Sequence, residues 1–312
     1  MKKPASTLAF ALILLLLFAS PLALLANAKC PQSIDKDGYT EFTGNLDGAD
    51  FVFRMPKDWN GMLVVGCRGY GVGISVDDAF FFDKTFALTL VGQGYAWAAS
   101  DFGEEGWCVQ KAVIRIHQLT EYIKNNFEVE GKIFLIGASF GGGVALLLGE
   151  KYPELYSGVL DLSGVKDAKA LYVLALQVSG LSVGEIRSLL NIPPIIPDAT
   201  IQLLKNVCIT TEAALTVECG GTLEEKPQAY EKISPVYNVG IKMPVITVHG
   251  AKDIRVPLSQ ATAYQNAVAS LGKSDLYRLY VLPTAGHYDA QVIAQAISRL
   301  NELVAWSNTF GS

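Results

Sequence analysis

The chain predicts an α/β fold: a mainly parallel, doubly wound sheet with an antiparallel hairpin at its N-terminal side and a helical insertion late in the sequence. Three observations predict it. Apolar runs of strand length recur at Met62–Cys67, Tyr95–Ser100, Lys132–Gly137, Gly158–Leu162, Pro244–His249 and Tyr277–Leu282. They lack the polar alternation of half-exposed strands, as expected where a sheet is covered on both faces. Helix-period stretches lie between and after them: Val109, Val113, Ile116, Ile123 and Phe127 in one, and Val292, Ile293, Ala296, Ile297, Leu300 and Val304 in another. Strand and helix in alternation are joined by crossovers that build a parallel sheet. The rhythm breaks once, from about 165 to 239, where helical stretches (Ala168–Val178, Val183–Leu190, Thr200–Val207) and the breaker Ile192–Pro197 intervene. That break reads as a lid.

The hairpin comes first. Tyr39–Met55 alternates around Leu46-Asp47-Gly48-Ala49-Asp50, a strand–turn–strand pattern suited to a sheet edge. With 312 residues, 50% hydrophobic and only 18% charged, the chain has the material for a core. The reading is a single domain over 29–312 that carries the lid insertion, because sheet domains of this class often run long. The net charge of −5 and the absence of any Lys/Arg-rich run remove the electrostatic footprint of a nucleic-acid binder.

Lys2 and Lys3 precede an apolar stretch from Leu8 to Leu25 that ends at Ala26-Asn27-Ala28, a small-x-small cleavage pattern. Residues 1–28 therefore read as an export signal, which makes the protein secreted or extracytoplasmic. Uncleaved, the same stretch would be a membrane anchor with the rest of the chain outside. Lys29 stands where a lipidation motif before Cys30 wants Gly or Ala. Export makes the five cysteines candidates for disulfides. Cys208 with Cys219 is the first expected pair and Cys67 with Cys108 the second, the alternative being small buried thiols.

The chemistry concentrates at Gly137-Ala138-Ser139-Phe140-Gly141, which follows the strand Lys132–Ile136 and opens a helix over Gly142–Leu148. A strand–turn–helix with a serine at its apex is a nucleophile elbow; small residues two before and two after the serine let strand and helix approach. A hydroxyl needs a base, and three histidines are available. His117 lies within an amphipathic helix. His249 ends a strand and would line the site or pack beneath it. His287, just after the last strand, can swing over Ser139. The acid should emerge from the penultimate strand, and Asp253 does so; Asp161, Asp289 and Asp101 compete with it. An oxyanion would take two backbone amides, Phe140 after the nucleophile and Tyr70 from the loop Cys67-Arg68-Gly69-Tyr70-Gly71.

These motifs, with Gly250–Asp253, Val256-Pro257 and Gly286-His287, resemble the α/β-hydrolase superfamily across essentially the whole length after the signal. More narrowly, Pro56–Gly61, Gly94–Ser100 and Gly106-Trp107 look like exported esterases related to feruloyl esterases and to the catalytic domains of prolyl oligopeptidases. The resemblance implies an α/β-hydrolase fold, a Ser139–His287–Asp253 triad, and a small-molecule or polymeric ester as substrate, without cofactor or metal. One departure stands out. The family's oxyanion loop usually begins His-Gly, whereas this chain has Arg68-Gly69, so Arg68 would either anchor the loop differently or attract an acidic substrate group. Arg68, Trp107 and Tyr288 are the candidate substrate-binding residues, with Phe102 and Phe140 near the mouth.

Two other functions compete. A peptidase of prolyl-oligopeptidase type would use the same triad, although no additional N-terminal domain is visible to sieve peptides. A surface-binding protein could keep the fold without turnover, although a complete triad argues against it. The scattered histidines give no metal-ligand spacing, and Gly69-Tyr70-Gly71-Val72-Gly73 misses the phosphate-binding patterns.

Overall fold

The computed structural model describes residues 31–71, 76, 84–287 and 289–310. The expected export signal over residues 1–28, Cys30 and Tyr288 lie outside the described residues. The strands are β1 (Gln32–Lys36), β2 (Tyr39–Leu46), β3 (Ala49–Pro56), β4 (Leu63–Cys67), β5 (Ala96–Ser100), β6 (Ile133–Ala138), β7 (Gly158–Leu162), β8 (Val245–Gly250) and β9 (Tyr277–Leu282). They form one sheet in the order β1-β2-β3-β5-β4-β6-β7-β8-β9. From β5 to β9 every pairing is parallel, while β1, β2 and β3 add an antiparallel edge. The expected hairpin is β2–β3, turning at Asp47 and Gly48, both with positive φ. β1 is an addition to the expectation: its mostly exposed, polar sequence carries no strand-like apolar signal.

The continuous apolar runs divide between the two faces of the sheet, as the period of two requires. Leu63 and Val65 of β4 join one buried cluster, and Val64 joins the other. The first face is covered by α2 (Val109–Asn126), α3 (Phe140–Lys151) and α8 (Ser259–Ser270); the second by α1 (Lys84–Val91) and α9 (Ala290–Ser307). β9 is the far edge and only partly buried, which is why Arg278 can alternate with apolar neighbours there.

Between β7 and β8 the chain forms α4 (Ala168–Ser179), α5 (Val183–Leu189), α6 (Asp198–Cys219) and α7 (Pro227–Lys232). Ala175, Val178, Ile186, Ile201, Leu204 and Cys208 give this insertion a small core of its own. The helix expected over Thr200–Val207 runs on to Cys219, through the β-branched pair Thr210–Thr211. Burial of Cys208, Thr211, Leu215 and Cys219 along one side outweighs local propensity. Gly220, at φ 71, ends it.

That single helix overturns the first expected disulfide. Cys208 and Cys219 stand eleven residues apart on one helix, so at about 1.5 Å of rise per residue their Cα atoms are about 16 Å apart, whereas a disulfide needs less than about 7 Å. The second pair is also absent: Cys67 ends a central strand, and the Cys108 thiol turns to the Glu104 carbonyl at 3.6 Å. All four are buried free thiols, and burial pushes the Cys208 thiol up to about 11 and those of Cys108 and Cys219 up to about 12. Among the described residues no helix is long and apolar enough to cross a membrane.

Candidate active site

β6 ends at Ala138 and α3 begins at Phe140, so the whole elbow is one residue. Ser139 sits at φ 55, ψ −123, a conformation that costs about 1–3 kcal/mol and persists only where the surroundings impose it. They do so from both sides. The Ser139 amide donates to the Leu162 carbonyl at 2.9 Å, and the Val165 amide donates to the Ser139 carbonyl at 3.1 Å. A side chain at Gly137 would meet the Gly141 carbonyl oxygen at 2.1 Å, and one at Gly141 would meet the Cys67 carbonyl oxygen at 2.0 Å. Strand, helix and the loop after β4 therefore converge where only glycine fits.

Ser139, His287 and Asp253 come together there. Ser139 Oγ lies 2.8 Å from His287 Nε2, and His287 Nδ1 lies 2.6 Å from Asp253 Oδ2. The loop bearing His287 is tied to the turn bearing Asp253: the Ala251 amide donates to Leu282 and the Lys252 amide to Ala285, each at 2.9 Å. The other Asp253 oxygen accepts the amides of Arg255 and Val256, both at 2.9 Å. A carboxylate held this way accepts a hydrogen bond from the imidazole Nδ1–H, which leaves the Nε2 lone pair for the serine proton. All three side chains are buried, so their electrostatics act in a medium poorer than water.

Beneath the triad lies a second, fully buried polar layer. His249 packs under Asp253 and donates through Nε2 to the Val256 carbonyl at 2.8 Å, with the Asp253 carboxylate 3.6 Å away. Burial, followed by the nearby Lys166 charge, lowers its pKa to about 4, so the ring is neutral near pH 7. Lys166 and Asp161 form an ion pair at 2.6 Å with no exposed surface on either side chain. Lys166 also donates to the Gly164 carbonyl, and Thr247 donates to Asp161. The other competing acids have structural work: Asp289 caps α9 by accepting the Gln291 amide, and Asp101 accepts the amides of Asp50 and Gly103. His117 stacks on Tyr152 at 3.7 Å, away from the triad.

A cleft of about 380 Å³ opens over Ser139 and His287. Tyr70, Trp107 and Phe140 form an aromatic wall, with Trp107 edge-on to Phe140 at 5.1 Å. Leu171 of α4 and Val207, Thr210 and Thr211 of α6 close it from the insertion, and Arg255 and Val256 complete one side. Phe140 opens α3, where a helix amide has no intrahelical carbonyl to bond, and Tyr70 shares the cleft with it.

Arg68 requires a correction as a substrate-binding residue. It is 4% exposed, and its guanidinium donates to the carbonyls of Gly69, Asp101 and Glu104 while lying 4.4 Å over the Phe102 ring. It anchors the loop after β4 to the loop after β5, because a buried cation is tolerated only where its donors are matched. Trp107 lines the cleft as expected; Tyr288 lies outside the described residues. The break over about 165–239 reads as a lid in the sequence, but periodicity does not mark Leu171, Val207, Thr210 and Thr211 as its site-facing side chains, and Arg255 was not singled out although it lies between Asp253 and Val256-Pro257. Among the described residues no group of three or more His, Cys, Asp or Glu side chains could hold a metal ion.

The prolyl oligopeptidase family matches residues 196–310, and a family described as putative esterases matches residues 91–209. A search of curated proteins finds no match. Among solved structures, the acylaminoacyl peptidase of Pyrococcus horikoshii is similar over 89% of this chain and 41% of its own, with a TM-score of 0.55 at 14% identity. Est1E from Butyrivibrio proteoclasticus is similar over 90% of this chain and 100% of its own, with a TM-score of 0.53 at 17% identity. The Pyrococcus furiosus esterase PF2001 is similar over 92% and 93%, with a TM-score of 0.56 at 17% identity. The chain thus spans about two fifths of the peptidase. The fold is that of the α/β-hydrolases, and the chain resembles esterases and peptidases that share it.

Proposed function

We propose that the chain is a serine hydrolase that cleaves carboxylic esters through an acyl-enzyme and works outside the cytoplasm. The observation that carries the reading is the unbroken relay from Ser139 through His287 to Asp253, at 2.8 and 2.6 Å. Ser139 Oγ adds to the ester carbonyl as its proton passes to His287 Nε2; the tetrahedral oxyanion then collapses, and the leaving alkoxide takes that proton away as alcohol. Water repeats the sequence on the acyl-serine, releasing the acid and restoring Ser139. Asp253 stabilises the imidazolium in both halves. The amides of Phe140 and Tyr70 serve the oxyanion, each worth about 3 kcal/mol if placed on it. The aromatic wall of Tyr70, Trp107 and Phe140 supports an acyl or aryl ester as the substrate class.

A peptidase reading is favoured by the prolyl oligopeptidase family match over residues 196–310. One pair of assays separates the two. A serine-directed fluorophosphonate labels the natural chain and not Ser139→Ala; equal labelling removes Ser139 from the mechanism. p-Nitrophenyl esters are then compared with proline-containing peptide anilides, and a clear preference for the anilides gives the site to the peptidase reading. Export is tested separately by N-terminal sequencing of chain recovered outside the cytoplasm, with Lys29 as the expected first residue.

A further inference from the structure

A second concavity, of about 400 Å³, lies between α2, α3 and the segment that follows α7, and it shares no lining residue with the cleft over Ser139. A hollow of that size takes one small ligand. Its floor is apolar: Val109 and Val113 of α2, Leu147 of α3 and Ile233 are buried members of the main core cluster, while Ile114 stands 47% exposed at the edge.

The charge around this floor has one sign. Lys151 of α3 and Lys232 of α7 line it, both exposed. Nearby carboxylates are engaged elsewhere: Glu231 pairs with Lys169 at 2.5 Å, Glu154 pairs with Lys242 at 3.0 Å, and Glu218 accepts the Gln110 amide at 3.0 Å. The one carboxyl in the lining is that of Glu150. Tyr264 donates to its Oε1 at 2.7 Å, its Oε2 is buried without a partner among the described residues, and burial pushes its pKa well above the ordinary carboxylate value. Burial thus favours the uncharged form and leaves the two ammoniums to set the sign. In a chain of net charge −5 that is a local reversal. An apolar floor under a cationic rim matches an alkyl chain that ends in an anionic head: the chain displaces water from the floor, and the flexible lysine stems follow the head at the rim. A cationic amphiphile would meet like charge there.

We propose that this trough is a second binding site, for a free medium-chain carboxylate, with the alkyl chain on Val113, Leu147 and Ile233 and the head group at Lys151 and Lys232. The site is separate from the triad and stands or falls without the esterase reading.

The test uses the full chain with sodium decanoate, sodium octanoate and decanol, each below its aggregation limit. Titration calorimetry should show decanoate binding saturably below about 1 mM, and octanoate, two methylenes shorter, about 4- to 16-fold more weakly. Lys151→Gln combined with Lys232→Gln should weaken decanoate by about 3- to 10-fold and leave decanol within about twofold, because a neutral head gains nothing from an exposed ammonium. Ile114→Glu, at the exposed edge, should weaken decanoate more than decanol by adding like charge. Should a variant fail to fold, the natural chain decides: decanoate binding should weaken from low to high salt, and salt-independent binding counts against the lysines. Decanoate carrying a terminal diazirine separates trough from cleft. Crosslinks on Val113, Leu147 or Ile233 support the site, whereas crosslinks confined to Phe140, Leu171 or Val207 put the ligand in the cleft and overturn it. Absence of saturable decanoate binding, or equal losses of decanoate and decanol in the lysine variant, overturns it as well. So does a dimer that Ile114→Glu dissociates without any decanoate uptake, which would give the trough to a second copy of the chain.

Discussion

Replacing Lys166 by methionine is the sharpest test of how the elbow is held. The Lys166–Asp161 pair is 2.6 Å long with both side chains wholly buried, and Asp161 keeps one oxygen without a partner among the described residues even when the lysine is present. Methionine retains most of the stem and opens little cavity, so the main loss is charge. It strands a carboxylate in the interior, which costs about 3–5 kcal/mol. Against a total stability of about 5–15 kcal/mol for a domain, that is a large share. At about 2–4 °C per kcal/mol for a chain of this size, the unfolding midpoint should fall by about 6–20 °C, read by calorimetry or by circular dichroism. Adding Asp161→Asn to Lys166→Met removes the stranded charge, so the double variant should lose clearly less than the two singles combined. The loop between these residues also holds the Ser139 backbone through Leu162 and Val165, so fluorophosphonate labelling should slow well below the melting range. A K166M midpoint within about 2–4 °C of the natural chain, or strictly additive losses, would refute the reasoning.

Three more outcomes follow from the same geometry. Asp253→Asn should lower kcat on p-nitrophenyl esters by about 10⁴ while the fold is kept, because an amide NH₂ in place of the accepting oxygen favours the wrong imidazole tautomer; a tenfold loss or less would point to another acid. Gly141→Ala should abolish labelling of Ser139, since the added carbon would stand 2.0 Å from the Cys67 carbonyl oxygen and force the loop carrying Tyr70 off the elbow. His249 has its pKa lowered from 6.5 to about 4 by burial, so below pH 6.5 the unfolded chain binds a proton that the folded chain refuses. Stability is then greatest above pH 6.5 and is lost by about 3 kcal/mol as the pH falls to 4. Denaturant titrations across that window should show a shallower slope in His249→Gln, and an identical slope would exclude His249 as the source.

The sequence by itself determined what depends on local pattern. Strands covered on both faces must be continuously apolar, and the runs at Met62–Cys67, Lys132–Gly137 and Pro244–His249 became the central strands β4, β6 and β8 within a residue or two. The elbow needs small residues beside its serine, so Gly137, Ser139 and Gly141 announced it within five positions, and chain order then pointed to Asp253 and His287. What only the tertiary structure decided is which distant groups share a buried space. Nothing local marks Lys166 as the partner of Asp161, or sets Arg255 against Val207 and Thr211 across a cleft. Nor does spacing in the chain reveal that Cys208 and Cys219 ride one helix, out of each other's reach. Arg68 is the plainest case. Its charge left two readings open, loop anchoring or an acidic substrate group; the structure commits it to three backbone carbonyls, one of the adjacent Gly69 and two, Asp101 and Glu104, that only the strand crossovers bring to it. Periodicity is a property of a segment; desolvation and the matching of buried donors belong to the whole fold.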